Sequence, residues 1–213
     1  MTIATALARP TIVDRVIPRT IATDIALVAA GAAITAAAAQ VVIPMWPVPI
    51  TGQTFAVLLV GASLGLVRGA SSLALYAVLG LIGLPVFAPQ GDGSHLTGLA
   101  ALAAPSFGYI VGFVAAAAVV GWFAQLKWDR TALKTFVALV AGTAVIYLFG
   151  LTWLAIVLAG FGVPDVLGST IAGGLLPFLV GDAIKAVLAA ALLPASWALI
   201  NRADRSARDA DAA

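Results

Sequence analysis

Six apolar runs follow one another along the chain with only short breaks between them, at about 25–43, 53–67, 70–87, 106–126, 134–160 and 172–200. Runs this long and uniform call for a solvent as apolar as themselves, and a helix of about 20 apolar residues spans the hydrocarbon core of a bilayer. Lipid offers no partners to backbone N–H and C=O groups, so a spanning segment is a helix or part of a closed barrel. The runs lack the strict alternation of barrel strands. The expected fold is an all-α integral membrane protein of six transmembrane helices. Only 9% of the 213 residues are charged, against roughly 25% in soluble domains, so no charged shell is available to cover such a surface in water. The second run is short for a full span, which predicts a tilted or broken helix there.

The basic residues set the orientation, because Lys and Arg flanking the spans stay on the cytoplasmic side. Arg9, Arg15 and Arg19 precede the first run, Arg68 separates the second from the third, Lys127, Arg130 and Lys134 lie between the fourth and fifth, and Arg202, Arg205 and Arg208 follow the sixth. With six spans these ten of the eleven basic residues fall on one side, and both termini are cytoplasmic. Residues 1–24 then form a cytoplasmic lead-in, 25–200 the six-helix domain and 201–213 a disordered cytoplasmic tail.

Composition closes several functional classes. The net charge of +2 comes from scattered clusters without interleaved aromatics, so nucleic acid is not an expected partner. Cysteine and Glu are absent, and one His beside one Asp does not make a metal site, so neither a catalytic thiol nor a bound metal is expected. No G-x-x-x-x-G-K-[ST] loop is present, so any ATP would be used by another subunit and no cofactor is expected.

The eleventh basic residue, Lys185, lies inside the sixth run, three residues after Asp182. Each charge costs roughly 2.5–3.5 kcal/mol at a bilayer centre, so such residues face a cavity or a partner. Their spacing places both on one helix face, where an ammonium and a carboxylate suit a zwitterionic or amide-bearing ligand. An ion pair that only locks helix packing is the alternative. Loop 44–52 carries Pro44, Pro47 and Pro49 and contains Thr51, a candidate cap for the second helix, with Gln53 in the first turn of that helix and able to both donate and accept; the two are either ligand contacts or a turn with its cap. The loop 88–105 is long enough to be a lid and contains His95; Tyr109, at the mouth of the fourth run, is either a cavity residue or an interfacial anchor. Ala29, Ala33 and Ala37 recur every four residues along the first run, a smooth stripe against which another helix can pack closely.

Two other functional classes stand beside ligand binding. Gly61-Ala62-Ser63-Leu64-Gly65 has the letters of a nucleophile elbow, which raises an intramembrane serine hydrolase using Ser63. The motif falls within a helical run and the single His lies in a loop, so no catalytic residue is assigned. A structural membrane subunit is the other possibility.

Several motifs in fixed order resemble one family: Pro47-Val48-Pro49-Ile50-Thr51-Gly52-Gln53-Thr54, then Tyr76 through Gly83-Leu84-Pro85-Val86-Phe87, Gly108-Tyr109 with Gly112-Phe113, and Pro177-Phe178 with Gly181-Asp182 and Lys185. Over about residues 25–200 the chain is similar to the BioY family, the biotin-specific substrate-binding components of energy-coupling factor transporters. The resemblance implies a six-helix vitamin-binding protein of the prokaryotic cytoplasmic membrane. It implies biotin as ligand, with Asp182 and Lys185 lining its pocket. It also implies a transmembrane coupling protein with two ATPases, docking on the small-residue face of the first helix.

Overall fold

The computed structural model describes the backbone of residues 11–211 and side chains as far as residue 206. Arg9, the side chain of Arg208 and the last two residues of the expected tail lie outside that range. The helices are α1 (Ile21–Ala39), α2 (Gln53–Leu81), α3 (Phe107–Gln125), α4 (Ala132–Gly160), α5 (Val166–Gly174) and α6 (Leu176–Asp211). Five helical stretches among the described residues are long and apolar enough to cross a membrane: α1, α2, α3, α4, and α5 with α6 taken together.

Six helical segments nonetheless pack together, because α2 is a hairpin. Gly65 sits at φ 84° and ψ −179°, outside helical geometry, and divides α2 into arms 53–64 and 66–81. Glycine alone adopts that region without strain. The arms run back along each other: Gln53 Nε2 donates to Tyr76 Oη at 2.5 Å, whereas 23 residues of straight helix extend about 35 Å. A Cβ on Gly69 would stand 3.0 Å from the Gly61 Cα, and one on Gly121 of α3 would stand 2.3 Å from the Gly65 carbonyl carbon. Glycines thus let three backbones meet at the hairpin's closed end, as small residues do between membrane helices. The short second run is one arm of this hairpin.

Some expected boundaries move. The first helix begins at Ile21 rather than 25, where Thr20 and Thr23 form a reciprocal capping box. It stops at Ala39 instead of 43: Val41, Val42 and Ile43 are β-branched and precede Pro44, which disfavours helix, and Val42–Ile43 pairs antiparallel with Ile50–Thr51 in a two-residue ribbon. The third run ends at Leu81 instead of 87, since Gly83 at φ 108° turns the chain. Part of the expected loop 161–171 is the short helix α5, capped by Asp165, and α6 starts afresh with Pro177 in its first turn. The tail expected to be disordered continues α6 to Asp211; its Ala and Arg residues favour helix, and Asp204 pairs with Arg15.

Candidate functional site

A cavity lies at the end of the bundle where the α2 arms begin and finish, with about 780 Å³ of empty space once its open mouth is included. Its walls are mostly apolar: Phe107, Ile110 and Phe113 of α3, Ile146 of α4 and Phe178 of α6. The ribbon loop adds Val48, Pro49 and Thr51, and the segment after α2 adds Phe87, Gln90 and Leu96. Loop 44–52 is keyed to α5, since a Cβ on Gly173 would meet Pro47 Cδ at 2.5 Å. His95, in the loop expected to act as a lid, has Nδ1 2.8 Å from the Phe87 carbonyl oxygen and so pins that loop to its own start.

The polar groups converge on one wall. Asp182 and Lys185 face each other one helical turn apart, Nζ to Oδ1 at 3.2 Å, with side chains only 10% and 19% exposed. Lys185 Nζ also donates to Thr54 Oγ1 at 2.8 Å and to the Thr51 carbonyl at 3.1 Å. Thr54 Oγ1 donates to Asp182 Oδ1 at 3.3 Å, and Tyr147 Oη donates to Asp182 Oδ2 at 2.5 Å. Four elements, β2 (Ile50–Thr51), α2, α4 and α6, therefore close around one partly buried ion pair, as charges drawn out of water require.

The other expected site residues line the same cavity. Gln53 is 5% exposed, its amide fixed between Tyr76 Oη and Thr51 Oγ1. Thr51 accepts from the Gln53 N–H at 3.2 Å, so it caps α2 from one residue before the N-cap, which is Gly52. Tyr109 contributes its ring, stacked on Phe178 at 6.4 Å, while its hydroxyl donates to the Gly174 carbonyl at 2.7 Å. That carbonyl ends α5 and lacks a helical partner. Tyr147 and Thr54 are the site residues that sequence reasoning missed.

Ser63 stands apart from all of this. It lies two residues before the Gly65 turn, about 15 Å of helix from Gln53. His95, the single histidine, is at the opposite end. The glycines of its motif serve the hairpin turn and helix packing.

That same far end holds a second polar cluster. Arg68, 7% exposed, donates to Asp14 Oδ1 at 2.7 Å, Asp24 Oδ1 at 3.1 Å, Thr11 Oγ1 at 3.2 Å and the Leu64 carbonyl at 3.1 Å. Burial works to raise the Asp14 carboxyl, but the Thr11 N–H and hydroxyl and the Arg68 guanidinium outweigh it and hold it below the usual carboxylate value. Nearby, Trp197 Nε1 donates to Asp129 Oδ2 at 2.5 Å and Arg130 lies over the Trp197 ring at 3.9 Å. Burial pushes the Asp129 carboxyl up, partly offset by the Trp197 bond.

A family model described as the BioY family matches residues 8–202. The chain belongs to the BioY family. Among its BioY relatives, a probable biotin transporter BioY of Pyrococcus horikoshii is 37% identical over 79% of this chain and 92% of its own length. The biotin transporter BioY of Rhizobium etli is 37% identical over 68% of this chain and 76% of that one. The biotin transporter BioY of Thermotoga maritima is also 37% identical, over 71% and 82%. The crystal structure of the S-component for biotin from an ECF-type ABC transporter superposes with a TM-score of 0.67, at 27% identity, covering 81% of this chain and 89% of that one. The helical membrane bundle of a BioY transporter component is thus the frame that carries the Asp182–Lys185 cavity. The exposed face of α1 in this BioY chain includes Ala29, Ala33 and Ala37, while Gly31, Ala32, Thr35 and Ala39 turn inward.

Proposed function

We propose that the chain binds biotin and is the substrate-specific component of its uptake across the cytoplasmic membrane of a prokaryotic cell. The observation that carries this reading is the Asp182–Lys185 pair set into the wall of an otherwise apolar cavity. A carboxylate accepts N–H bonds of the kind a ureido ring offers, an ammonium meets carbonyl or carboxylate oxygens, and aromatic walls suit the ring and aliphatic chain. Relatives named biotin transporters and the likeness to a biotin S-component support the same ligand. Gln53 and Thr51 brace the rim, and Tyr109 forms wall.

With both termini cytoplasmic, the cavity opens outward, since its rim is formed by the loops that carry no basic residue. The partner is an energising module of a transmembrane coupling protein and two ATPase subunits. It packs on the smooth stripe of Ala29, Ala33 and Ala37, which is exposed to lipid or a neighbour. Titration of purified, lipid-embedded protein with biotin tests the reading. Saturable, stoichiometric binding that raises the thermal midpoint is expected, and the absence of both overturns it.

A further inference from the structure

The hydrogen-bond inventory of the cavity wall is lopsided. An ammonium carries three donors, and those of Lys185 already meet the Thr51 carbonyl, Thr54 Oγ1 and Asp182 Oδ1, at 3.1, 2.8 and 3.2 Å. A ligand oxygen reaches Lys185 only by displacing one of them. An ionised carboxylate has about four lone-pair positions. Those of Asp182 receive Lys185 and Thr54 on Oδ1 and Tyr147 on Oδ2, which leaves acceptor capacity on Oδ2. The Tyr147 hydroxyl, having donated its proton to Asp182, keeps its own lone pairs, 2.5 Å from that same oxygen. Both residues line the cavity. The groups of this cluster still open to a ligand are therefore acceptors, and half of that pair is Tyr147.

We infer that Tyr147 is a specificity-determining residue, which fixes the Asp182 carboxylate and supplies a second acceptor beside it, so that the pocket selects a ligand by its N–H donors. The inference rests on the biotin reading and deepens it: the ureido N–H groups, rather than the carboxylate, are what the Asp182–Tyr147 wall of the pocket is built to meet. Tyr147 is held for this task. Its ring stands edge-on to that of Tyr109 at 6.5 Å and 82°, and Tyr109 is anchored through the Gly174 carbonyl. Gly150, one turn beyond Tyr147, makes room for the Tyr109 ring, which a Cβ there would approach to 2.4 Å.

The test compares biotin with biotin methylated on both ureido nitrogens, which keeps the carboxylate but lacks the donors. Both are titrated into wild-type, Tyr147→Phe and Tyr147→Gln protein. Wild type is expected to prefer biotin strongly. Tyr147→Phe keeps the ring and its packing, and is expected to weaken biotin about tenfold or more while changing the methylated analogue by less than about threefold. Tyr147→Gln keeps a donor and an acceptor without the ring, and is expected to retain more of the preference; the reverse order overturns the inference. So does an equal loss for both ligands in Tyr147→Phe, which marks a packing role, or unchanged biotin affinity beside a binding wild type. A wild type that ignores biotin overturns the functional reading itself, and this one with it.

Discussion

Lys185 Nζ donates to the backbone carbonyl of Thr51 at 3.1 Å, so the cation of the last helix also fastens the loop at the cavity rim. The same ammonium therefore holds both the rim loop and, through Asp182, the acceptor wall of the cavity. Lys185→Ala is expected to weaken biotin about tenfold or more, and to speed amide hydrogen exchange in residues 44–52 of the empty protein. Asp182→Asn is expected to weaken biotin as well. If both variants bind at wild-type affinity with lowered thermal midpoints, the pair is only a packing lock.

The hairpin makes a separate demand. Gly65→Ala places a Cβ 2.9 Å from Thr11 Cγ2 and 3.1 Å from Gln125 Nε2, at a φ of 84°. Strain of this kind costs about 1–3 kcal/mol, so the variant is expected to lose thermal stability. Ser63→Ala, two residues away, is expected to change neither stability nor binding.

Asp14 gives the acid dependence. Its carboxyl lies below the unfolded value, so the folded state binds fewer protons there. The stability it contributes is complete above the unfolded value of about 3.9 and is lost as pH falls through the folded value. Asp14→Asn is expected to destabilise the protein at neutral pH, less than a fully unpaired buried cation would, because Asp24 still pairs Arg68, and to flatten the dependence of the thermal midpoint on pH at the acid end.

The α1 stripe is tested by bulk. Ala33→Leu is expected to leave biotin affinity unchanged in purified protein and to reduce uptake by cells that contain the energising module. Unchanged uptake would assign the stripe to lipid.

Orientation is tested with a single introduced cysteine, since the chain has none of its own. A Cys at Thr131, between α3 and α4, is expected to react with membrane-impermeant reagents only after the membrane is opened. Labelling from outside intact cells contradicts a cytoplasmic position for that turn.

The sequence makes the spans and the two intramembrane charges legible, because each rests on a local property: run length, or a charge where charge is costly. Tyr147 and Thr54 were not legible. Tyr147 stands in Ala144-Val145-Ile146-Tyr147-Leu148-Phe149, apolar all round, and such a helix does not declare which face is buried. Its partner lies 35 residues away on another helix, and that of Thr54 lies 128 away. The Arg68 cluster escaped for a related reason. Arg68 reads as one more cytoplasmic charge until the fold brings Thr11 and Asp14 under it. The fold-back at Gly65 was visible as a short span, and its cause, positive φ beside two glycine contacts, only in three dimensions.

The Arg68 cluster also bears on the order in which the chain is assembled. Synthesis proceeds from the N-terminus, so Thr11, Asp14 and Asp24 emerge before Arg68 does. When the hairpin closes, its guanidinium meets acceptors that have already been made, and in the folded chain its burial leaves it paired with them. Residues 11–24 thus work as a receiving dock for the first charge the membrane domain must bury. Removing them would leave the hairpin to close over an uncompensated cation.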